Sequence, residues 1–263
     1  RPKRDKDGNI DPWTNRGAAS TDVFTLAGTG RVEEFVPRFT YHGFQYVEIT
    51  GWPGSPPTKG DLFFCPVGAR VEKTFDVFGR DVLCDYMRAA QNSMLSNFMS
   101  YPTDCPMRDE RTPCQMDSQA YEDAAILNFE MTRYYSKWLD DIRGEHGNPD
   151  WAGDQVTLPL RLYRATGDKN ILERNYANIK DQIADDVKKW PKLICGFGDW
   201  CAPNNGTWEG FHNDVPLVNS ALFCKMIEDA AEAAEVLGHT ADARSYRTLR
   251  ARAVAAFNAE FYD

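Results

Sequence analysis

The spacing of apolar positions changes near residue 76. Before it, short runs rich in aromatic and β-branched residues stand between glycines. They are VFTL (23–26), FTY (39–41), FQYVEI (44–49) and LFF (62–64). Such runs, punctuated by Gly28, Gly30, Gly43 and the turn-rich GWPGSPPTKG at 51–60, predict short antiparallel strands. Residues 1–75 are therefore expected to form part of a β-sandwich-like accessory domain.

From residue 76 onward the spacing is helical. Phe78, Val82, Tyr86, Ala90, Met94 and Phe98 recur every four residues and predict one helix face. Tyr121, Ala124, Leu127, Met131, Tyr134, Trp138 and Ile142 predict a second helix beyond a charged loop. A shorter candidate covers 154–166, with Pro159 early enough to start or kink it. Asp168 is placed to cap a helix carrying Leu172, Tyr176, Ile179, Ile183, Val187 and Trp190. Two more follow over about 215–237, ended by Gly238, and 240–258, with Tyr246, Leu249, Ala253 and Phe257. Six consecutive helices fit an α-solenoid or an α/α toroid, and the lack of a fixed repeat period disfavours TPR or HEAT arrays.

Composition narrows the function classes. A formal net charge of -9 excludes a basic nucleic-acid-binding face. No run of about 18 apolar residues predicts a membrane span. The 7 cysteines lack zinc-ligand spacing and read as buried or free thiols, so no metal or other cofactor is expected. The acidic loop at 101–117 could at most hold Ca²⁺ by its oxygens.

That loop, YPTDCPMRDERTPCQMD, holds four carboxylates, two guanidiniums and three prolines in 17 residues. Ordering so much charge is costly unless the charges are paired or used. Together with 143–153 and 191–214, it forms a set of long connections rich in carboxylates and in aromatics such as Trp151, Trp200, Trp208 and Phe211. Glycoside cleavage needs both kinds of group: a carboxylic acid for the leaving oxygen, a carboxylate to activate water or attack, and flat apolar faces for the ring. Solvated acidic loops and core tryptophans are the bland alternative. Trp151 and Trp200, each beside Gly and Asp in a polar loop, fit core packing poorly.

DCPMRDER (104–111), followed by Asp117, closely resembles the DCPQRDER signature of the α-L-rhamnosidases of glycoside hydrolase family 78. FTYHGFQYVEITGWPG (39–54), KWLDDI (137–142), WAGD (151–154), GFGDW (196–200) and AFNAEFYD (256–263) fall in the family's order. The resemblance implies a mainly α fold: the first half of an (α/α)6 toroid over 76–263, preceded by part of an antiparallel β-domain. It implies inverting hydrolysis of terminal α-L-rhamnosides, with Glu110 as general acid. It further implies that Asp104, Arg108 and Asp117 hold rhamnose hydroxyls and that Trp151 and Trp200 pack on the methyl-bearing side of the sugar. Asp154 joins the substrate-binding set through the 151–154 motif.

Two departures stand out. Cys114 occupies the place of a family tryptophan, which removes one sugar-facing ring. The family's general base is expected outside this chain, in the remainder of the catalytic domain supplied as a second segment or chain. The expected partner is a rhamnose-containing glycoside or polysaccharide, with no nucleic acid and no membrane. The alternatives are another toroid glycosidase, a polysaccharide lyase, or a non-catalytic carbohydrate-binding relative.

Overall fold

A computed structural model describes residues 3–196 and 216–262. The chain divides into two compact units, one of Arg1–Arg70 with Val77–Pro113 and one of Val71–Asp76 with Cys114–Asp263. The described part is mainly helical. Its α-helices are α1 (Val82–Asn97), α2 (Gln115–Asn128), α3 (Thr132–Asp141), α4 (Pro149–Ala152), α5 (Asp154–Thr166), α6 (Lys169–Lys189), α7 (Leu217–Val236) and α8 (Thr240–Phe261).

In the first unit, a 3-10 turn at Pro12–Asn15 is capped by the Asp11 carboxylate, which accepts from the Trp13 amide at 2.9 Å. The strands expected over residues 1–75 do not form ladders among the described residues. The pairing of these residues, among those described, is two isolated bridges, Arg4 with Ile10 and Lys73 with Phe129. A strand needs a backbone partner that its own composition cannot provide, and Val23, Phe39, Phe63 and Phe64 stand exposed. The first helix also begins later than its stripe suggests. Asp81 caps Cys84 at 2.9 Å, and α1 runs from there. Val82 and Tyr86 face solvent, whereas Met94 and Phe98 are buried.

The second unit carries the larger core. Its predicted 121–142 helix is two helices. Phe129 turns extended (φ -140°, ψ 156°), and the Glu130 amide leaves the helix to bond the Glu72 carbonyl at 2.8 Å. The apolar spacing continues across the break, which is why the sequence pattern conceals it. Pro159 lies inside α5. Two caps fall as expected: Asp168 starts α6 by accepting from the Asn170 amide, and Gly238 follows α7 with φ 80°; Gly167, at φ 74°, ends α5 in the same way.

Helices α5–α6 and α7–α8 are hairpins, and α5 also packs on α2, α3 and α7. The core gathers Val156 and Leu160 of α5, Leu172, Ile179 and Ile183 of α6, and Phe223, Met226 and Ile227 of α7. Ala230, Ala233 and Ala234 leave room for α8 to approach through Ala243 and Ala253. Among the described residues no disulfide forms, and Cys65, Cys84, Cys105, Cys114, Cys195 and Cys224 are free thiols. No described helix is long and apolar enough to cross a membrane.

Buried carboxylates tie α2, α3 and α5 together. Glu122 of α2 is fully buried and meets Arg161 of α5 at 2.5 Å. Asp154, also fully buried, accepts from the Trp138 indole N–H at 3.2 Å. Burial raises Glu122 to about 7, with Arg161 opposing the shift. Burial, then the nearby Glu122, raises Asp154 well above the usual range. In α6, burial raises Asp186 to about 7 although Gln182 donates to it.

Each of these groups keeps its proton in the folded protein at a pH where the unfolded chain has lost it. Stability contributed by them is full near pH 4 and falls as pH rises toward 8. Asp154→Asn keeps an acceptor for Trp138 and removes the ionisable group. We expect it to stabilise the protein by roughly 1–3 kcal/mol at pH 8, with a smaller gain at pH 5. Calorimetric melting at both pH values checks this, and a larger gain at pH 5 would refute it.

Candidate active site

The loop after α1 is folded back on itself by short backbone contacts. Antiparallel bridges join Phe98 to Pro102 and Thr103 to Pro113. The Thr103 amide donates to the Asn97 carbonyl at 3.1 Å, and its hydroxyl reaches Asn97 Oδ1 at 3.1 Å. The Gly43 amide donates to the Pro106 carbonyl at 3.1 Å. A Cβ at Gly43 would lie 2.9 Å from the Met107 nitrogen, closer than real Cβ atoms come to backbone, so only glycine fits there.

Arg111 has a structural task in this loop. Its guanidinium donates to the Tyr41 carbonyl and, at 3.0 Å, to the Arg108 carbonyl, and it lies over the Tyr41 ring at 5.0 Å. Arg108 faces the other way. Its Nη2 is 3.2 Å from Asp104 Oδ2 and 2.8 Å from Glu110 Oε2, and its Nε donates to Cys105 Sγ at 3.3 Å. Asp104, Arg108 and Glu110, each expected to contact substrate, are therefore brought together by the local fold.

The two carboxyls of this cluster are driven apart in acidity. Asp104 is the deeper one, with 14% of its side chain exposed against 39% for Glu110. Burial, followed by a hydrogen bond to Glu110 and then its charge, raises Asp104. Glu110 is lowered, first by Arg16, which pairs with Oε1, and also by Asp104 and Arg108. Ligand atoms of Asp104, Cys105 and Glu110 lie within 4.8 Å of one another. Arg108 contacts all three of these residues, and a guanidinium in that position occupies the carboxylates electrostatically.

The remaining expected contacts belong to the second unit. Asp117 is exposed in the first turn of α2, where its charge suits the helix dipole, and its Oδ2 accepts from the Cys114 thiol at 2.5 Å. Trp151, on the short α4, keeps 40% of its surface exposed, so its ring is accessible. Asp154 differs from both, because its carboxyl is enclosed and turned toward Trp138. Trp200 lies outside the described residues, as do Asp199, Trp208 and Phe211. Sequence reasoning missed Arg16 and the Glu122–Arg161 pair. Nothing in a single Arg remote from the loop, or in a Glu next to an apolar stripe, marks such pairings in advance.

The family model for the bacterial alpha-L-rhamnosidase 6 hairpin glycosidase domain matches residues 80–263. The chain belongs to the bacterial α-L-rhamnosidase family. Residues 4–66 match the concanavalin-like domain of the same proteins. An α-L-rhamnosidase of Streptomyces avermitilis is 33% identical over 97% of this chain and 26% of its own length. One from Formosa agariphila is 28% identical over 97% of this chain and 30% of its own.

Solved structures agree with the family assignment. The α-L-rhamnosidase from Dictyoglumus thermophilum superposes with a TM-score of 0.88 at 34% identity, over 100% of this chain and 32% of that one. The S. avermitilis enzyme complexed with L-rhamnose gives 0.77 at 28% identity, over 100% of this chain and 27% of that one. This rhamnosidase-family chain thus spans roughly a quarter to a third of the length of these relatives.

Proposed function

We propose that the protein containing this chain hydrolyses terminal α-L-rhamnosides with inversion, Glu110 acting as general acid. The observation that carries the proposal is the Asp104–Arg108–Glu110 cluster, with a half-exposed carboxyl over a deeper one. Glu110 gives its proton to the glycosidic oxygen as the bond to the anomeric carbon breaks. Water attacks the opposite face and loses a proton to a second carboxylate, about 6.5–9.5 Å from the first in inverting enzymes. We assign that base to sequence outside residues 1–263.

Arg16 and Arg108 favour the charged form of Glu110. A sugar ring lying over it strips away water, which disfavours the charged form. The adjacent Asp104 is raised by its burial and by its hydrogen bond to Glu110. Asp104 and Arg108 hold sugar hydroxyls, Asp117 adds a further acceptor, and Trp151 offers an apolar face to the 6-deoxy methyl group. The helical hairpins we read as the first half of an (α/α)6 toroid, and residues 1–75 as part of a β-domain. The matches at 80–263 and 4–66 support those two readings.

A second reading makes Asp104 the proton donor, since burial raises it while Glu110 is lowered. Proton NMR of the first-formed sugar from an aryl α-L-rhamnoside tests the reaction itself. We expect free β-L-rhamnose before mutarotation. Retention of configuration, an unsaturated product, or binding without release would each reject inverting hydrolysis.

A further inference from the structure

We propose that Arg16 is a positioning residue for Glu110, orienting its carboxyl through Oε1 while Arg108 holds Oε2. The inference rests on Glu110 being the proton donor. Arg16 Nη1 pairs with Glu110 Oε1, and Arg16 Nε lies 3.4 Å from Asp109 Oδ1. One guanidinium therefore spans two neighbouring carboxylates, from a segment more than ninety positions earlier in the chain.

The backbone that delivers Arg16 is specialised. Arg16 sits at φ 54°, ψ -124°, a left-handed conformation uncommon for a residue with a side chain. Its amide donates to the Trp13 carbonyl at 3.2 Å, closing the 3-10 turn. That turn is anchored in turn by Asp11, which caps Trp13 and pairs with Lys3 at 3.1 Å, while Lys3 lies over the Trp13 ring. At the next residue, a Cβ on Gly17 would come within 2.9 Å of Asp109 Oδ2, so the segment lies directly against the loop. An outlier backbone held by four contacts and ending in a two-carboxylate clamp is a built arrangement.

The groups facing Glu110 are Arg16 and Arg108, which favour its charged form, and Asp104, Asp109 and the Cys105 thiol around them. Removing Arg16 deletes the leading contribution that keeps Glu110 ionised. A general acid must be protonated to act, so activity is lost as pH rises through its pKa. Arg16 therefore sets the alkaline limb of the rate profile, and its loss moves that limb toward higher pH.

The test uses the full-length protein and the pH dependence of kcat/KM on a methoxyphenyl α-L-rhamnoside, whose leaving oxygen needs a proton. For Arg16→Gln the alkaline limb of the kcat/KM profile is expected to move to higher pH by about one unit, roughly a tenfold gain at a fixed pH well up that limb. Arg16→Met, which keeps an apolar stem of similar length, is expected to move the limb the same way. Arg16→Lys, which restores the charge, is expected to return the limb toward wild type. A uniform loss at every pH, or profiles that superimpose on wild type, would overturn the positioning role. Glu110→Gln run alongside separates the two claims. If Glu110→Gln matches wild type, the donor assignment fails whatever Arg16 does. If it loses activity while the Arg16 variants keep the wild-type limb, only the inference about Arg16 fails.

Discussion

Glu110→Gln is expected to lower kcat/KM on a rhamnoside with a poor leaving group by about 10²–10⁴-fold, the usual contribution of general acid catalysis. Gln preserves the shape of the side chain and an acceptor for one of the two guanidiniums, Arg16 or Arg108, but it has no acidic proton to deliver to the glycosidic oxygen. Its side chain is 39% exposed, so the amide is solvated and the loop retains its fold. The loss should therefore sit in kcat/KM with little change in melting temperature. A variant that melts early and loses activity in proportion to unfolded protein would speak for a structural role. Activity equal to wild type would remove Glu110 from the chemistry altogether.

The largest expected loss of stability comes from Arg161→Ala. Arg161 pairs with Glu122, which has no exposed side-chain surface, and reaches Asp123 at 3.2 Å. Without its partner Glu122 takes up a proton rather than remain charged, so one unit above a pKa of about 7 the charge part of the loss is limited to about 1–2 kcal/mol. In a unit of this size that is roughly 4 °C of melting temperature. The loss should depend on pH in a defined sense. Glu122 is already raised to about 7 by burial, and without Arg161 it rises further. At pH 5 it is protonated, so the missing guanidinium matters little, whereas at pH 8 the folded state must either hold a naked charge or take up a proton. Calorimetry should show a loss at pH 8 that exceeds the loss at pH 5 by about 1 kcal/mol. A double variant that replaces both Arg161 and Glu122 with apolar residues should recover much of the difference. Equal losses at both pH values would show that packing of the Arg161 stem, not charge, is what the helices use.

These two sites were legible in the sequence to different degrees. The Asp104–Arg108–Glu110 cluster could be read directly, because a loop of a few residues forces its own side chains together and three prolines restrict the alternatives. Helices α5 to α8 were equally open to reading, since Asp168, Gly167 and Gly238 punctuate them locally. What escaped depends on partners remote in sequence. The break after α2 exists because the Glu130 amide bonds the Glu72 carbonyl, and no spacing of apolar residues encodes that choice. The aromatic runs before residue 76 promise strands, but a ladder is a property of two segments, and composition describes one at a time. Arg16 meets Glu110, and Arg161 meets Glu122, through folding that a linear pattern does not contain.

Asp154 illustrates the same limit at a single residue. Its neighbours Trp151 and Gly153 suggested a polar sugar-binding loop, yet Gly153 leads straight into α5 and turns Asp154 inward to Trp138. Trp151, three positions earlier, remains accessible at the end of α4. Helical rotation over a few residues separates an exposed ring from an enclosed carboxyl.

The most direct test of the central claim compares leaving groups. A proton donor matters only when the departing oxygen needs a proton, so its loss is masked by a dinitrophenolate and exposed by a methoxyphenolate. Glu110→Gln and Asp104→Asn should be assayed in the full-length protein on both aryl α-L-rhamnosides. If Glu110 is the general acid, Glu110→Gln stays close to wild type on the dinitrophenyl substrate and collapses on the methoxyphenyl one, while Asp104→Asn is impaired on both alike. The reverse pattern, with leaving-group dependence in Asp104→Asn and a uniform loss in Glu110→Gln, would contradict the account and make the deeper carboxyl the donor.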